Sequence, residues 1–442
     1  MFRRVDHYTI GFVRFNGLIL IFSLSFSANL HNNFVKMTRY LIVLTLICSQ
    51  FLSGQILSPE AFLGYPIGTE YSRHHQMVDY FEYLSDQSDW ISFHQYGKTS
   101  ERRSLNYAII TSPDNHSRLE QIRLDNLRQI GKIPGDANPD FAIVWLSYNV
   151  HGNEASSMEA AMQTAYTLIS TQSPWLNNTI VIIDPCVNPD GRDRYANWYN
   201  QVRMRPYNPL QSADEHNESW PGGRPNHYLF DLNRDWAWAK QVESRQRLPI
   251  YHKWMPHVHV DFHEQGINEP YYFAPAAVPY HEVITDWQKE FQVQIGRNNA
   301  KYFDQQGWLY FTRQFFDLLY PSYGDTYPTY LGAIGMTYEQ AGNGRAGLGI
   351  LNDEGIELTL VDRVTHHTAT GLSTIEISSK NAVKLNREFK TYFRTPQALQ
   401  NYVLQGNPDK IRALMTLLDR HEIQYSFATS SVIKGWDYQT QK

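Results

Sequence analysis

The sequence predicts an α/β fold: a mixed, largely parallel twisted sheet flanked by helices on both faces. Three observations predict it. Apolar runs at 141–148, 178–184 and 333–338 read as buried strands and alternate with segments of helical periodicity. Polar clusters follow these runs, at the strand ends where open α/β sheets place their ligands. The stretch 257–264 alternates, with Val258, Val260 and Phe262 on one side and His257, His259, Asp261 and His263 on the other. No internal repeat is present.

At 442 residues the chain has room for roughly two to three domains. A net charge of −5 gives no basic surface for nucleic acid. The 29 tyrosines and 11 tryptophans suit a wet, aromatic-lined cleft. Two apolar stretches open the chain, at 18–26 and 41–52, both shorter than the roughly twenty residues a spanning helix needs. The second follows Arg39 and ends in Ser53-Gly54, the layout of a secretory signal. Residues 1–54 are therefore expected to be a leader, with Met37 as the true start. A secreted or periplasmic protein follows, with no stable membrane span after cleavage. Cys48 falls in the leader, so Cys186 stands alone in the mature chain and is expected to be a buried bystander.

The main domain is expected at 58–385. A helix at 77–87, strands at 90–97 and 105–111, a helix at 118–131 and a connector at 133–138 lead into the strand 141–148. The loop Asn149-Val-His151-Gly-Asn-Glu154 follows. A helix at 155–170 comes next, its apolar face repeating at Met158, Ala161, Met162, Ala165, Tyr166 and Ile169. Ser156 with Glu159 predicts a capping box. The strand 178–184 ends in Asn188-Pro-Asp-Gly191, read as a turn. Residues 192–230 read as a long aromatic loop, of the kind that is functional when ordered. A helical stretch, the alternating strand and a helix at 284–306 follow. An aromatic loop at 320–330 leads to the strand closed by Glu339, and helices resume near 358. From 396 the texture changes. A helix at 409–420 and a strand starting at 424 are expected to open a second unit, 396–442, that stops unfinished.

Four polar clusters now stand at strand ends or in adjoining loops: His151/Glu154, Asp231/Asn233/Arg234, His263 and Glu339. A His and a Glu three positions apart in such a loop can share one Zn²⁺, leaving room for a third ligand and a water. With His151-Gly-Asn-Glu154, Asn188-Pro-Asp-Gly191, Asp231-Leu-Asn-Arg234, Asp261-Phe-His263 and Met336-Thr-Tyr-Glu339 in this order, the sequence resembles the carboxypeptidase A-like zinc metallocarboxypeptidases, in a secreted bacterial form. The ordered motifs cover roughly 140–345.

The resemblance implies one Zn²⁺ per chain, held by His151, Glu154 and His263. It makes Asp231 the carboxylate that orients a ligand imidazole, and Glu339 the general base. Arg203, twelve positions after Gly191, becomes the oxyanion partner, with Arg205 as the alternative. Asn233 and Arg234 match the clamp for a free C-terminal carboxylate. Tyr320 in Tyr320-Pro-Ser-Tyr-Gly324 matches the tyrosine that closes over the substrate, with Tyr323 as second choice. Asp261 is a further candidate to support a ligand, His257 and His259 read as packing residues, and Glu264 reads as structural. The implied activity is zinc-dependent removal of the C-terminal residue from peptides or proteins. Two alternatives stand beside it: a zinc amidase or carboxypeptidase acting on cell-wall or modified peptides, and a non-catalytic module that binds a peptide carboxylate.

Overall fold

The structure, a computed structural model, describes residues 56–395 and 401–429, the segments 12–15 and 18–21, and residues 435, 436, 438, 440 and 441. The expected signal segment at 38–54 lies outside the described residues. Ahead of it, β1 (Phe12–Phe15) and β2 (Leu18–Ile21) pair antiparallel. Among the described residues no helix is long and apolar enough to cross a membrane.

From Ile56 onward, eight strands build one mixed sheet: β3 (Ile91–Lys98), β4 (Ser104–Ile110), β5 (Ala142–Tyr148), β6 (Thr179–Asp184), β7 (Val258–Gln265), β8 (Tyr271–Tyr272), β9 (Tyr310–Phe311) and β10 (Ile334–Ala341). Their order across the sheet is β3-β4-β6-β5-β7-β10-β8-β9. The central run β6-β5-β7-β10 is parallel throughout. Antiparallel pairs flank it, β3 and β4 on one side and β8 on the other. A separate ribbon joins β11 (Gly349–Leu351) to β12 (Glu357–Thr359).

Parallel strands need cover on both faces, and their side chains divide accordingly. Val144, Leu146, Val258, Val260 and Phe262 join a core with Met158 and Ala161 from the helix Ser156–Ser170 and Ile375 from the helix Leu360–Lys380. Ile143, Trp145, Ile180 and Ile182 pack on the opposite face against Leu248, Tyr251 and Trp254 of the helix Val242–Trp254. The predicted alternation in β7 therefore holds, and His257, His259, Asp261 and His263 share the second side of the sheet.

Three local expectations fail. Pro189–Val202 is a helix where a turn and loop were expected. The Asn188 side chain accepts from the Gly191 N–H and Pro189 takes the first helical position, so the apparent turn signal is a helix N-terminus. The capping box at Ser156 is absent, because Ala155 occupies the cap and makes no side-chain cap bond. Glu159 instead meets Arg192 at 2.6 Å, both fully buried, and accepts from the N–H and hydroxyl of Ser72. Arg192 also donates to the Ala155 carbonyl, which ties the start of the helix to the neighbouring element. Removing one partner of such a pair leaves a buried charge and costs about 3–5 kcal/mol. Finally, residues 424–429 carry no strand.

Candidate metal centre

The site gathers at the carboxyl ends of β5, β7 and β10. Asn149, the first residue past β5, takes a left-handed conformation (φ 57°), which asparagine tolerates better than most residues. Its side-chain amide donates to the carbonyls of His151 and Glu154, at 2.8 and 3.2 Å, and so holds the loop between them. Gly152 packs where a Cβ would stand 2.1 Å from the Gly191 carbonyl carbon. Gly191 in turn leaves room for Gly223, whose oxygen would lie 2.3 Å from a Cβ there. Three backbone segments thus stack without side chains between them.

His151, Glu154 and His263 converge, all buried, with their ligand atoms within 4.8 Å of one another. Glu154 Oε1 is 2.7 Å from His151 Nδ1, and Oε2 is 2.9 Å from His263 Nδ1. Both imidazoles point Nδ1 inward. Outward, His151 Nε2 meets Asp231 Oδ1 at 2.8 Å and His263 Nε2 meets Asp261 Oδ2 at 2.8 Å. The Asp231 carboxylate, hydrogen-bonded to His151 Nε2, holds the proton there and leaves Nδ1 free to ligate, while Asp261 stands in close ion-pair contact with His263 Nε2. Two imidazoles and one carboxylate with this polarity fit a Zn²⁺ site with an open position.

The charges are strongly coupled. Burial would raise the Glu154 carboxyl, but the two imidazoles hold it well below its usual range. Burial would lower His263, but Asp261 and Glu154 raise it well above. Asp231 is likewise held low by His151 and Arg224 against the effect of burial. Glu339 stands opposite His263 in the parallel pairing of β10 with β7. Burial chiefly, with Glu154, raises its carboxyl against the pull of His263 and Arg224, and it stands at about 8.

A cavity of about 310 Å³ opens here, lined among others by His151, Glu154, Asn233, Arg234, Tyr323 and Glu339. Arg224 also lines it, a residue the sequence reading missed. Its guanidinium donates to Glu154 Oε1 at 2.8 Å and Asp231 Oδ2 at 3.1 Å. The signal for it was the Gly222-Gly223-Arg224 run inside the segment flagged for its length. Asn188 and Arg194 fasten that run by donating to the carbonyls of Arg224 and Gly222.

Arg203 is not brought to the cavity. It caps the helix Pro189–Val202, with its side chain nearly buried against Glu70 at 2.5 Å. Arg205 is exposed, 3.7 Å from the same carboxylate. The twelve-residue spacing counts along a chain that here winds into a helix, and about fourteen residues of helix carry the end roughly 20 Å away. Arg234 stays partly exposed above the ring of Tyr323, 4.6 Å from its centroid. Tyr320 accepts from the indole of Trp238 at 2.8 Å and sits edge-on to Tyr323, which is the tyrosine at the cavity wall.

His259 packs among Trp145, Trp236 and Tyr251 with neither ring nitrogen hydrogen-bonded, and the other candidates have partners elsewhere. His257 Nδ1 accepts from the Ile143 N–H. Glu264 pairs with the buried Arg363 at 3.2 Å and accepts from Ser156. Cys186 is buried, its thiol donating to Asn149.

Residues 77–259 match the zinc carboxypeptidase family. The chain carries a zinc carboxypeptidase domain. The match takes in His151, Glu154 and Asp231–Arg234 and ends short of His263. Solved structures similar to the zinc carboxypeptidase domain include a metallo-carboxypeptidase from Burkholderia cenocepacia, with 14% identity over 71% of this chain and 70% of that one and a TM-score of 0.48. Carboxypeptidase A from Helicoverpa armigera shows 15% identity over 81% of each chain, with a TM-score of 0.46. Bovine thrombin-activatable fibrinolysis inhibitor, in complex with tick carboxypeptidase inhibitor, shows 14% identity over 72% of this chain and 99% of that one, with a TM-score of 0.46. A comparison with curated protein sequences finds no match.

Proposed function

We propose that this protein is a zinc-dependent metallocarboxypeptidase that releases the C-terminal residue of peptides or proteins. The observation that carries the reading is the inward convergence of His151 Nδ1, His263 Nδ1 and the Glu154 carboxylate, with a carboxylate behind each imidazole. Bound there, Zn²⁺ supplies a Lewis acid that polarises the scissile carbonyl and acidifies water. The protein does the rest. Glu339 takes the proton of the attacking water and hands it to the leaving amine. Arg224 is the fixed positive group for the developing oxyanion, in place of Arg203. Asn233 and Arg234 bind the terminal carboxylate, and Tyr323, with Tyr320 behind it, covers that end of the cavity. The layout of residues 38–54 further supports export, to the exterior or periplasm. N-terminal sequencing of secreted protein should begin near Gln55, and material retaining Met1 or Met37 would exclude signal cleavage.

Metal analysis and a matched pair of peptides, one free acid and one amide, test the main reading. Purified protein should carry about one zinc, and His263→Ala should lose most of it. The enzyme should prefer the free acid. Arg234→Ala should raise KM more than it lowers kcat, because the clamp acts in ground and transition states alike. Each lost hydrogen bond to a charged group is worth about 1.5–3 kcal/mol, so kcat/KM for the free acid should fall at least about tenfold. Preference for the free acid surviving in Arg234→Ala would remove Arg234 from the clamp.

A further inference from the structure

The carboxylate behind the second imidazole is placed by a feature of the tyrosine loop. Asp261 precedes His263 by two residues in β7, so both side chains project from the same side of the strand. Asp261 is fully buried, and its Oδ2 lies 2.8 Å from His263 Nε2. Gly324 faces this carboxylate. A Cβ at Gly324 would stand 1.8 Å from Asp261 Oδ2 and 2.6 Å from its carboxyl carbon. Gly324 has no positive φ, so its backbone conformation is open to any residue. Space, not conformation, is what glycine provides there.

A third group completes the enclosure. The Gly324 N–H donates to Asn233 Oδ1 at 2.8 Å, and Asn233 Nδ2 lies 3.2 Å from His263 Nε2. The outer edge of the imidazole is therefore bounded by Asp261, Asn233 and the bare backbone of the loop that carries Tyr320 and Tyr323.

We propose that Asp261 is a positioning residue, which holds the His263 imidazole with Nδ1 toward the metal, and that Gly324 lacks a side chain in order to admit the Asp261 carboxylate. The proposal rests on the reading of His263 as a ligand. Each imidazole then has its own carboxylate, Asp231 behind His151 and Asp261 behind His263. The tyrosine loop is registered on the metal centre through Gly324, so its position and the ligand geometry are set together.

Zinc affinity of the full chain, measured by competition with a chromogenic chelator, tests this without reference to turnover. Absorption of the Co²⁺-substituted protein reads the ligand geometry separately. Asp261→Asn should weaken zinc binding about 10- to 100-fold, the usual cost of losing such a support, and should shift the cobalt bands. Gly324→Ala should produce a comparable loss, because its Cβ displaces the carboxylate. The decisive variant is the double substitution. Asp261→Ala removes the whole carboxyl group, so Gly324→Ala added to it should cost no further zinc affinity. Wild-type affinity and cobalt bands in Asp261→Asn overturn the proposal. So does a Gly324→Ala defect, in folding or in metal binding, that persists undiminished beside Asp261→Ala. Wild-type protein that binds no zinc would instead overturn the metal-site reading on which all of this stands.

Discussion

Glu339→Gln is expected to lower kcat by about 10⁴-fold, the upper end for a positioned general base, while zinc content and KM stay near wild type. The carboxamide keeps the size of the side chain and cannot take a proton. Glu339 is the pairing partner of His263 across β10 and β7, so its side chain emerges beside the proposed ligands from a neighbouring strand. Among the described residues the grouping that could hold an ion here is His151, Glu154 and His263, without Glu339. Burial is the largest influence on its carboxyl, which stands raised at about 8 with the pull of His263 and Arg224 included. The loss should fall in kcat because the interaction matters chiefly in the transition state. Steady-state kinetics with zinc analysis on the same preparation checks this. A kcat within tenfold of wild type would exclude Glu339 as the base.

The second large effect separates two arginines. Arg224→Ala should cost about 10²–10³ in kcat, the measured range for losing one oxyanion donor, and Arg203→Ala should leave kcat within a few-fold of wild type. Arg224 reaches Glu154 and Asp231 at the cavity wall, whereas Arg203 is occupied by Glu70. Because Arg224 also touches a proposed ligand, its zinc content must be measured alongside kcat. Arg224→Lys keeps the charge and should recover part of the rate, although a point charge does not reproduce the guanidinium fork. The opposite pattern, with Arg203→Ala inactive and Arg224→Ala active, would restore the spacing argument and displace Arg224.

Much of this was legible in the chain because it is written in local patterns. The apolar runs of β5, β6 and β10 have period and length enough to mark buried strands. The alternation in β7 separates the face of Val258, Val260 and Phe262 from that of His263 without any tertiary information. The loop between His151 and Glu154 follows from a strand end, and the two residue types already limit the chemistry to a metal or a polar turn. Local patterns also misled. Asn188-Pro189 signals a turn and a helix start equally well, and only the Gly191 N–H bonded to Asn188 distinguishes them. Ser156 and Glu159 have the spacing of a capping box, yet a buried arginine competes successfully for the carboxylate.

By itself, then, the sequence determined the central strands β5, β6, β7 and β10, the kinds of residue available to hold a metal and the face of β7 that carries His263, because each depends on neighbours a few residues apart. The tertiary structure alone decided which arginine reaches the cavity, which tyrosine lines it, and why Gly324 has no side chain. Those outcomes depend on how far a helix carries Arg203 along its axis, on a loop stacked over Gly191, and on a carboxylate in β7 that meets Gly324 from across more than sixty intervening residues. No spacing rule along the chain encodes such contacts, since they arise only when separate segments compete for the same space.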